Sequence, residues 1–190
     1  MFLKFNQYLN ERSDMTADEM NAIRAVSIEK KLRKKQYLLQ QGDVCHHNCF
    51  IVKGCMRLYR VSEDGAEHIL RFGVENWWMS DQESYRTGNP SKNNIDALEN
   101  CEVILIEKSD FSQLKIDIPK FGCFIEKLKA RSFDASQNRI LSHISDTTEV
   151  KYQNFITFFP DIFNRVPLHM IASYLGVSRE TLSRIRKNIR

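Results

Sequence analysis

The residues best suited to chemistry lie together near the carboxyl end, and their side chains match the edges of nucleic-acid bases. Arg179 and Arg184 can each donate two hydrogen bonds to guanine, and Glu180 can accept one from the amino group of cytosine. Ser183 is short enough to lie near a base or the backbone, and Lys187, further along, is placed for a phosphate. The candidate DNA-contacting set is Ser178, Arg179, Glu180, Ser183, Arg184 and Lys187.

Two short helices around a tight turn are expected to position these side chains. Pro167 suits the first turn of a helix, and Gly176 suits the left-handed residue that ends one. Ser178 can cap the next helix, whose inner side would carry Leu182 and Ile185. The apolar face of the first helix follows helical spacing and comprises Leu168, Ile171, Ala172 and Leu175. The pattern predicts a helix-turn-helix; the alternative is an amphipathic helical hairpin with a solvated charged face.

Positive charge is concentrated in the same segment. The whole chain has 28 Lys and Arg against 24 Asp and Glu, a net charge of +4. Residues 165–190 hold six of these basic residues and one acid, so the rest of the chain is close to neutral. Such a local excess is typical of a surface that binds a polyanion.

The run from Ser178 to Arg184 resembles the recognition helix of the Crp/Fnr family of bacterial transcription regulators. In that family an Arg-Glu pair, with a second Arg four residues after the Glu, reads the half-site; the matching residues are Arg179, Glu180 and Arg184. The resemblance implies a homodimeric, sequence-specific regulator on palindromic double-stranded DNA, and contact with RNA polymerase. It is closest to a subgroup without the β-wing that follows the recognition helix in many members, because this chain stops at Arg190.

Short strands separated by turns are predicted in the first half of the chain. Asp64-Gly65 is a strong hairpin signal. The strand candidates are 28–32, 36–39, 49–52, 56–61, 67–72, 95–98 and 101–106. Many short strands with regular turns indicate a sandwich or barrel. The family resemblance makes this a double-stranded β-roll, so the expected fold class is α+β: a jelly-roll-like β-roll, a long dimerisation helix and a small helical DNA-binding domain.

Helices are predicted on both sides of these strands. Thr16 and Glu19 form a capping box before a helix over 17–26, and Ser109-Asp110 would cap a short helix to about 115. Pro119 opens a long helix to 143 or 144, and a further helix over 149–159 ends at Pro160. The long helix has two apolar stripes of different phase: Phe121, Phe124, Ile125 and Leu128, then Phe133, Ile140, Leu141 and Ile144.

The two stripes would suit one helix that touches two environments. The resemblance implies that this helix pairs with its twin across a dimer axis; the alternative is an ordinary buried helix. The polar run 145–148 is the best boundary before the DNA-binding domain. The expected domains are 1–117 (β-roll sensor), 118–145 (dimerisation helix) and 146–190 (helix-turn-helix).

A ligand site in the β-roll would lie where related regulators have their phosphate-binding cassette, so we compare the segment 72–91 with that cassette. That cassette has Gly-Glu near its start and an Arg followed by Ser or Thr at its end. Here Val74 separates Gly73 from Glu75, and Ser91 takes the arginine's slot, so Arg86 is out of register. We expect no cyclic AMP in the usual pose. For an unknown small-molecule effector the candidate lining is Phe72, Gly73, Glu75, Trp77, Arg86 and Ser91.

A cluster of metal-binding residue types occupies residues 45–49. It contains Cys45, His46, His47 and Cys49, but Cys-x3-Cys is not a usual zinc spacing. The family's iron–sulfur sensors use cysteines near the N-terminus, and none precedes Cys45 here. We therefore expect no metal, no iron–sulfur cluster and no other cofactor.

Two further function classes stay open beside the regulator. A small-molecule-binding module would have no major DNA role. A metal-dependent β-roll enzyme would use His46, His47, Glu67 and His68, but adjacent strand residues point to opposite faces, so His46 and His47 would not share one interior. No nucleophile–base pair or glycine-rich phosphate loop is evident, and we interpret the protein as a non-enzyme.

Cellular location is bounded by what the sequence lacks. No apolar run approaches the roughly 18 residues that span a bilayer, and the N-terminus is too polar for a signal peptide. The five cysteines, an odd number, argue for reduced thiols. The sequence therefore predicts a cytoplasmic protein without a membrane partner.

Overall fold

The computed structural model describes residues 1–160 and 162–188, and its strands form two four-stranded sheets. The strands are β1 (Ser27–Leu32), β2 (Tyr37–Leu39), β3 (His47–Lys53), β4 (Met56–Val61), β5 (Glu67–Gly73), β6 (Trp78–Met79), β7 (Asn94–Ala97) and β8 (Cys101–Glu107). Their order is β1-β8-β3-β6 in one sheet and β2-β7-β4-β5 in the other. The predicted α+β fold with a β-roll is confirmed, and every predicted strand is present. The short β6 was not predicted.

Helices precede, interrupt and follow the roll. They are α1 (Phe2–Ser13), α2 (Ala17–Ala25), α3 (Gln82–Thr87), α4 (Lys108–Asp117), α5 (Pro119–Ser145), α6 (Thr148–Phe158), α7 (Leu168–Leu175) and α8 (Arg179–Asn188). The Thr16–Glu19 capping box is present. The predicted Ser109-Asp110 cap is wrong, because α4 begins at Lys108, directly after the last residue of β8. Its N-cap is Glu107, whose side chain makes no capping hydrogen bond. Neither α1 nor α3 was predicted.

Tight turns fix how the strands of the roll follow one another. Gly54, between β3 and β4, has φ 108°, and a Cβ there would lie 2.9 Å from Cys101 Cα. Only glycine suits both constraints. At the Asp64-Gly65 turn the Gly65 N–H donates to Ser62 C=O at 2.9 Å, as the hairpin signal predicted.

The structure divides into two compact units. The first comprises Met1–Leu58 and Phe72–Ala130, and the second comprises Tyr59–Arg71 and the described part of 131–190. The tip of the β4–β5 hairpin therefore belongs with the C-terminal helices. The three-domain division given above stays a prediction.

The first unit has an aromatic core on one sheet and an aliphatic core inside the roll. Phe5 of α1 packs on Phe50 of β3, with ring centroids 4.7 Å apart, and Phe111 of α4 packs on Phe121 of α5 at 5.3 Å. Arg57 of β4 and Asp96 of β7 form a buried two-point ion pair, with Nε–Oδ1 at 2.8 Å and Nη2–Oδ2 at 3.0 Å.

The long helix α5 has two environments, as its two stripes indicated. Phe121, Phe124 and Ile125 are buried. The second stripe is exposed: Phe133 by 63%, Ile140 by 53%, Leu141 by 62% and Ile144 by 79%. Among the described residues no helix is both long and apolar enough to span a membrane.

Candidate nucleic-acid interface

A glycine turn joins α7 to α8 in the way that the sequence predicted. Gly176 is left-handed, with φ 68° and ψ 35°, and the N–H of Val177 donates to the C=O of Ala172 at 3.0 Å. Ser178 then caps α8, because its Oγ accepts the N–H of Thr181 at 3.1 Å. Pro167 lies at the N-cap position of α7, one residue before the helix.

The two faces of α8 differ sharply in burial. Leu182 is fully buried and Ile185 is 3% exposed, so both anchor the helix. The outer face carries the predicted DNA-contacting side chains: Ser178, Arg179, Glu180, Arg184 and Lys187 are exposed, and Ser183 is half-buried. The structure therefore brings all six candidates together at the start and along one side of α8.

Arg186 faces the protein, although it belongs to the basic segment 165–190. Its guanidinium lies over the Phe163 ring, 4.5 Å from the centroid. Phe163 in turn meets Tyr152 of α6 edge-on at 5.9 Å. Arg186 thus fixes the last turn of α8 to its support. Arg186 lies four residues after the buried Leu182 and so on the same side of α8, which agrees with its absence from the candidate DNA-contacting set.

His143, near the end of α5, lies against the glycine turn. A Cβ at Gly176 would lie 3.3 Å from His143 Nδ1, a tight contact, and the left-handed φ of 68° favours glycine at this position. Partial burial lowers the pKa of His143 below its ordinary value of 6.5, and the positive charges of Lys151 and Arg139 lower it further. This histidine was absent from the sequence-based candidates.

An aromatic cluster supports the helix-turn-helix from below. Phe155 and Phe159 lie 5.2 Å apart, and Tyr174 of α7 packs on them at 5.5 and 6.1 Å. Phe155 and Phe159 are buried and Tyr174 is half-buried, so the cluster forms the core beneath α7.

The residues proposed to line an effector pocket have different surroundings in the structure. Phe72 is fully buried, and a Cβ at Gly73 would lie 2.6 Å from Met79 Cε. Glu75 accepts the N–H of Gly54 at 2.7 Å, which secures the β3–β4 turn. Trp77 is half-buried, and Arg86 is exposed on α3.

Ser91, the residue in the arginine's slot, belongs to a buried network centred on Asp81. Its Oγ donates to Asp81 Oδ2 at 2.5 Å, and Asn93 Nδ2 donates to the same oxygen at 3.0 Å. Asp81 also caps α3, since its Oδ1 accepts the N–H groups of Glu83 and Ser84 at 3.0 and 3.3 Å. The donors around this position are therefore already bonded to a carboxylate of the protein.

A cavity of about 60 Å³ lies beside the 45–47 segment and is lined by Leu38, Leu39, Val44, Cys45, His46, His47, Met79, Ser80 and Ile95. None of the predicted effector residues lines it. Ligand pockets usually enclose about 300–1,000 Å³, so this cavity is too small for a nucleotide.

The Cys/His cluster is not arranged as a metal centre. Cys45 and Cys49 are buried, and burial raises the pKa of both thiols. His46 is exposed, whereas His47 begins β3 and is half-buried. Within 1–160 and 162–188, no three His, Cys, Asp or Glu side chains are grouped to hold a metal ion.

Comparison with known proteins supports a fold assignment. Residues 29–116 match the family profile of the cyclic nucleotide-binding domain. The structure is similar to FixK2 from Bradyrhizobium japonicum (17% identity; 86% of this chain and 84% of that chain; TM-score 0.75). It is also similar to the c-di-GMP-responsive global regulator CLP of Xanthomonas campestris (14%; 92% and 91%; 0.73).

A third similar structure is a transcriptional regulator of the Crp/Fnr family from Eubacterium rectale (16% identity; 96% of this chain and 87% of that chain; TM-score 0.72). No curated protein matches the chain in sequence. Residues 29–116 are therefore similar to a cyclic nucleotide-binding domain, and the chain has the fold of the Crp/Fnr regulators.

Proposed function

On the basis of this Crp/Fnr fold, we propose that the protein is a sequence-specific DNA-binding transcription regulator that binds a palindrome as a homodimer. The observation that carries the proposal is α8. Its apolar side is sealed by Leu182 and Ile185, and its opposite side offers two exposed arginines and an exposed glutamate. A helix that is anchored on one side and charged on the other suits the major groove.

The outer face of α8 can distinguish bases. Arg179 and Arg184 have the planar fork that matches the O6 and N7 acceptors of guanine. Glu180 can accept from cytosine N4, while Lys187, near the end of the helix, suits a phosphate. We assign sequence reading to Arg179, Glu180 and Arg184, and register to Ser178, Ser183 and Lys187.

The second half of α5 supports the homodimer. Phe133, Ile140, Leu141 and Ile144 are all more than half exposed. Large apolar side chains that recur at helical spacing on an exposed face are typical of a helix–helix interface. We assign this stripe to a second copy of the chain. Two recognition helices would then enter successive major grooves, about 34 Å apart.

The β-roll acts in this proposal as a scaffold that does not need cyclic AMP. The Asp81 carboxylate holds the donors near the cassette's arginine slot, and that slot contains Ser91. A different small-molecule effector fits the proposal, as does contact with RNA polymerase. The protein would work without a cofactor, would not be an enzyme, and would be cytoplasmic because its DNA target is there.

Selection of genomic fragments by the purified protein, at stated salt, tests this function. We expect the bound DNA to be enriched in one palindromic sequence. If no sequence is enriched, the selection is repeated with nucleotides and with cell extract. A second failure would refute the proposal and favour a small-molecule-binding module. Stoichiometric metal in the purified protein would instead favour the enzyme alternative.

A further inference from the structure

We propose that Ser173 is a positioning residue that latches α7 onto the β4–β5 hairpin, so that the hairpin controls how α8 is presented to DNA. The inference rests on the proposed function. Ser173 lies on α7, outside the candidate DNA-contacting set, and belongs to the same compact unit as the hairpin tip.

The latch is a pair of hydrogen bonds to the backbone of β5. Ser173 Oγ accepts the N–H of Ile69 at 3.0 Å and donates to the C=O of Glu67 at 2.9 Å. β5 is the outer strand of its sheet. The outward N–H and C=O groups of an edge strand otherwise bond to water or pair with a strand of another molecule. One serine hydroxyl thus takes the two backbone groups that a neighbouring strand would take.

Arg139 of α5 extends the latch along the same strand. Its Nη1 donates to the C=O of Leu70, and its guanidinium lies 5.1 Å from the ring centroid of Tyr174. Tyr174 follows Ser173 in the chain and packs on Phe155 and Phe159 in the core of this unit. Consecutive residues of α7 therefore connect the hairpin and α5 to the support of the helix-turn-helix.

A movement of α7 must be shared by α8. The glycine turn joins them, and Leu182 and Ile185 of α8 are buried. Both strands of the hairpin extend into the first unit, because β4 begins there, up to Leu58, and β5 ends there, from Phe72. The backbone thus connects the β-roll to the hairpin, and the two hydrogen bonds of Ser173 connect the hairpin to α7.

The latched arrangement leaves the reading residues accessible. Arg179, Glu180 and Arg184 are all exposed while the Ser173 bonds are made. The latch therefore holds a binding-competent arrangement, and its loss should increase the conformational freedom that DNA binding must remove.

Full-length Ser173→Ala protein tests the latch by hydrogen exchange and by affinity for the selected DNA. We expect exchange of the Ile69 amide to rise at least about tenfold, and the Kd to rise about 3- to 10-fold, the size of one or two lost hydrogen bonds. The salt dependence should not change, because no phosphate contact is removed. The matched control is Ser136→Ala, whose hydroxyl bonds only within α5, to Ser132 C=O.

Coupling also has a reciprocal readout in the wild type. If DNA binding and the latch favour the same state, DNA must slow exchange of the Ile69 amide, and must not do so in Ser173→Ala. Unchanged Ile69 exchange in the variant refutes the latch. Lost protection with unchanged or tighter DNA binding refutes the positioning role. Wild-type protein that binds no DNA refutes the proposed function as well, whereas the other outcomes refute this inference alone.

Discussion

Lys187 and Arg186 are adjacent cations in α8, but their side chains have different surroundings. Lys187 is exposed on the outer face, whereas Arg186 stacks on Phe163. We expect Lys187→Ala to weaken binding to all DNA sequences alike and to lower the slope of log affinity against log salt by about one unit. Fluorescence anisotropy with specific and random duplexes at several salt concentrations measures both.

Arg186→Ala is the matched control, since it removes one positive charge from the residue directly before Lys187. It should lower stability by loosening the end of α8 and should change the salt slope less than Lys187→Ala does. Equal slope changes in the two variants would mean that Arg186 leaves Phe163 and contacts phosphate.

His143 gives the DNA-binding unit a defined pH dependence. Burial and the charges of Lys151 and Arg139 lower its pKa in the folded protein, whereas the unfolded chain has a value near 6.5. The unfolded state therefore binds more protons just below pH 6.5, and the free energy of unfolding falls as pH decreases through that range.

Urea unfolding of the wild type and of His143→Gln between about pH 5 and pH 8 measures this effect. The two proteins should diverge in pH dependence below 6.5, with the wild type losing more stability on acidification. NMR titration of the His143 ring checks the cause directly. A ring pKa at or above 6.5 would contradict the account.

Among the helices and turns, the sequence predicted correctly those features that depend on interactions between residues close in the chain. The Asp64-Gly65 turn, the Thr16 capping box and the Gly176 stop are each formed by residues close in sequence, and each is present. The helix α1 was missed because its N-cap Met1 provides no cap bond. Its stability comes from distant partners, such as the contact of Phe5 with Phe50.

The candidate site divides in the same way. The outer face of α8 follows from helical spacing, so the sequence alone places the six DNA-contacting candidates on it, and their contact with DNA stays a prediction. The effector lining depends on contacts between distant strands and turns, which spacing cannot give. Only the structure reveals that Glu75 bonds to Gly54 and that Ser91 bonds to Asp81.

The exposed stripe of α5 makes a prediction about assembly. Replacing Ile140 and Ile144 by Glu should dissociate the homodimer, because four like charges would face one another in an apolar interface. Sedimentation equilibrium measures the change. Ile116→Glu is the control, since Ile116 is 71% exposed and belongs to α4, not to the stripe of α5. A wild-type monomer, or a double variant that stays dimeric, would contradict the assignment.

At the scale of the whole molecule, the β-roll should be indifferent to cyclic AMP. A ligand that binds only the native state stabilises it by about 2.7 kcal/mol at one hundred times its Kd, and the melting temperature rises as a result. We expect no shift with millimolar cyclic AMP and the same result with 5′-AMP as control. A saturable shift with the cyclic nucleotide alone would show that the Asp81–Ser91 network opens to admit it.

In the proposed dimer, one Arg184 from each subunit reads one base in each half-site. The most direct measurement is parallel DNA selection with wild-type and Arg184→Ala protein. We predict a palindrome for the wild type, with half-site centres about 10 base pairs apart. In the variant, base preference should be lost at one position in each half-site, symmetrically placed, and affinity should fall by about 1–3 kcal/mol. An unchanged palindrome, or no palindrome in either selection, would contradict the assignment of α8 as the DNA-reading helix of a dimer.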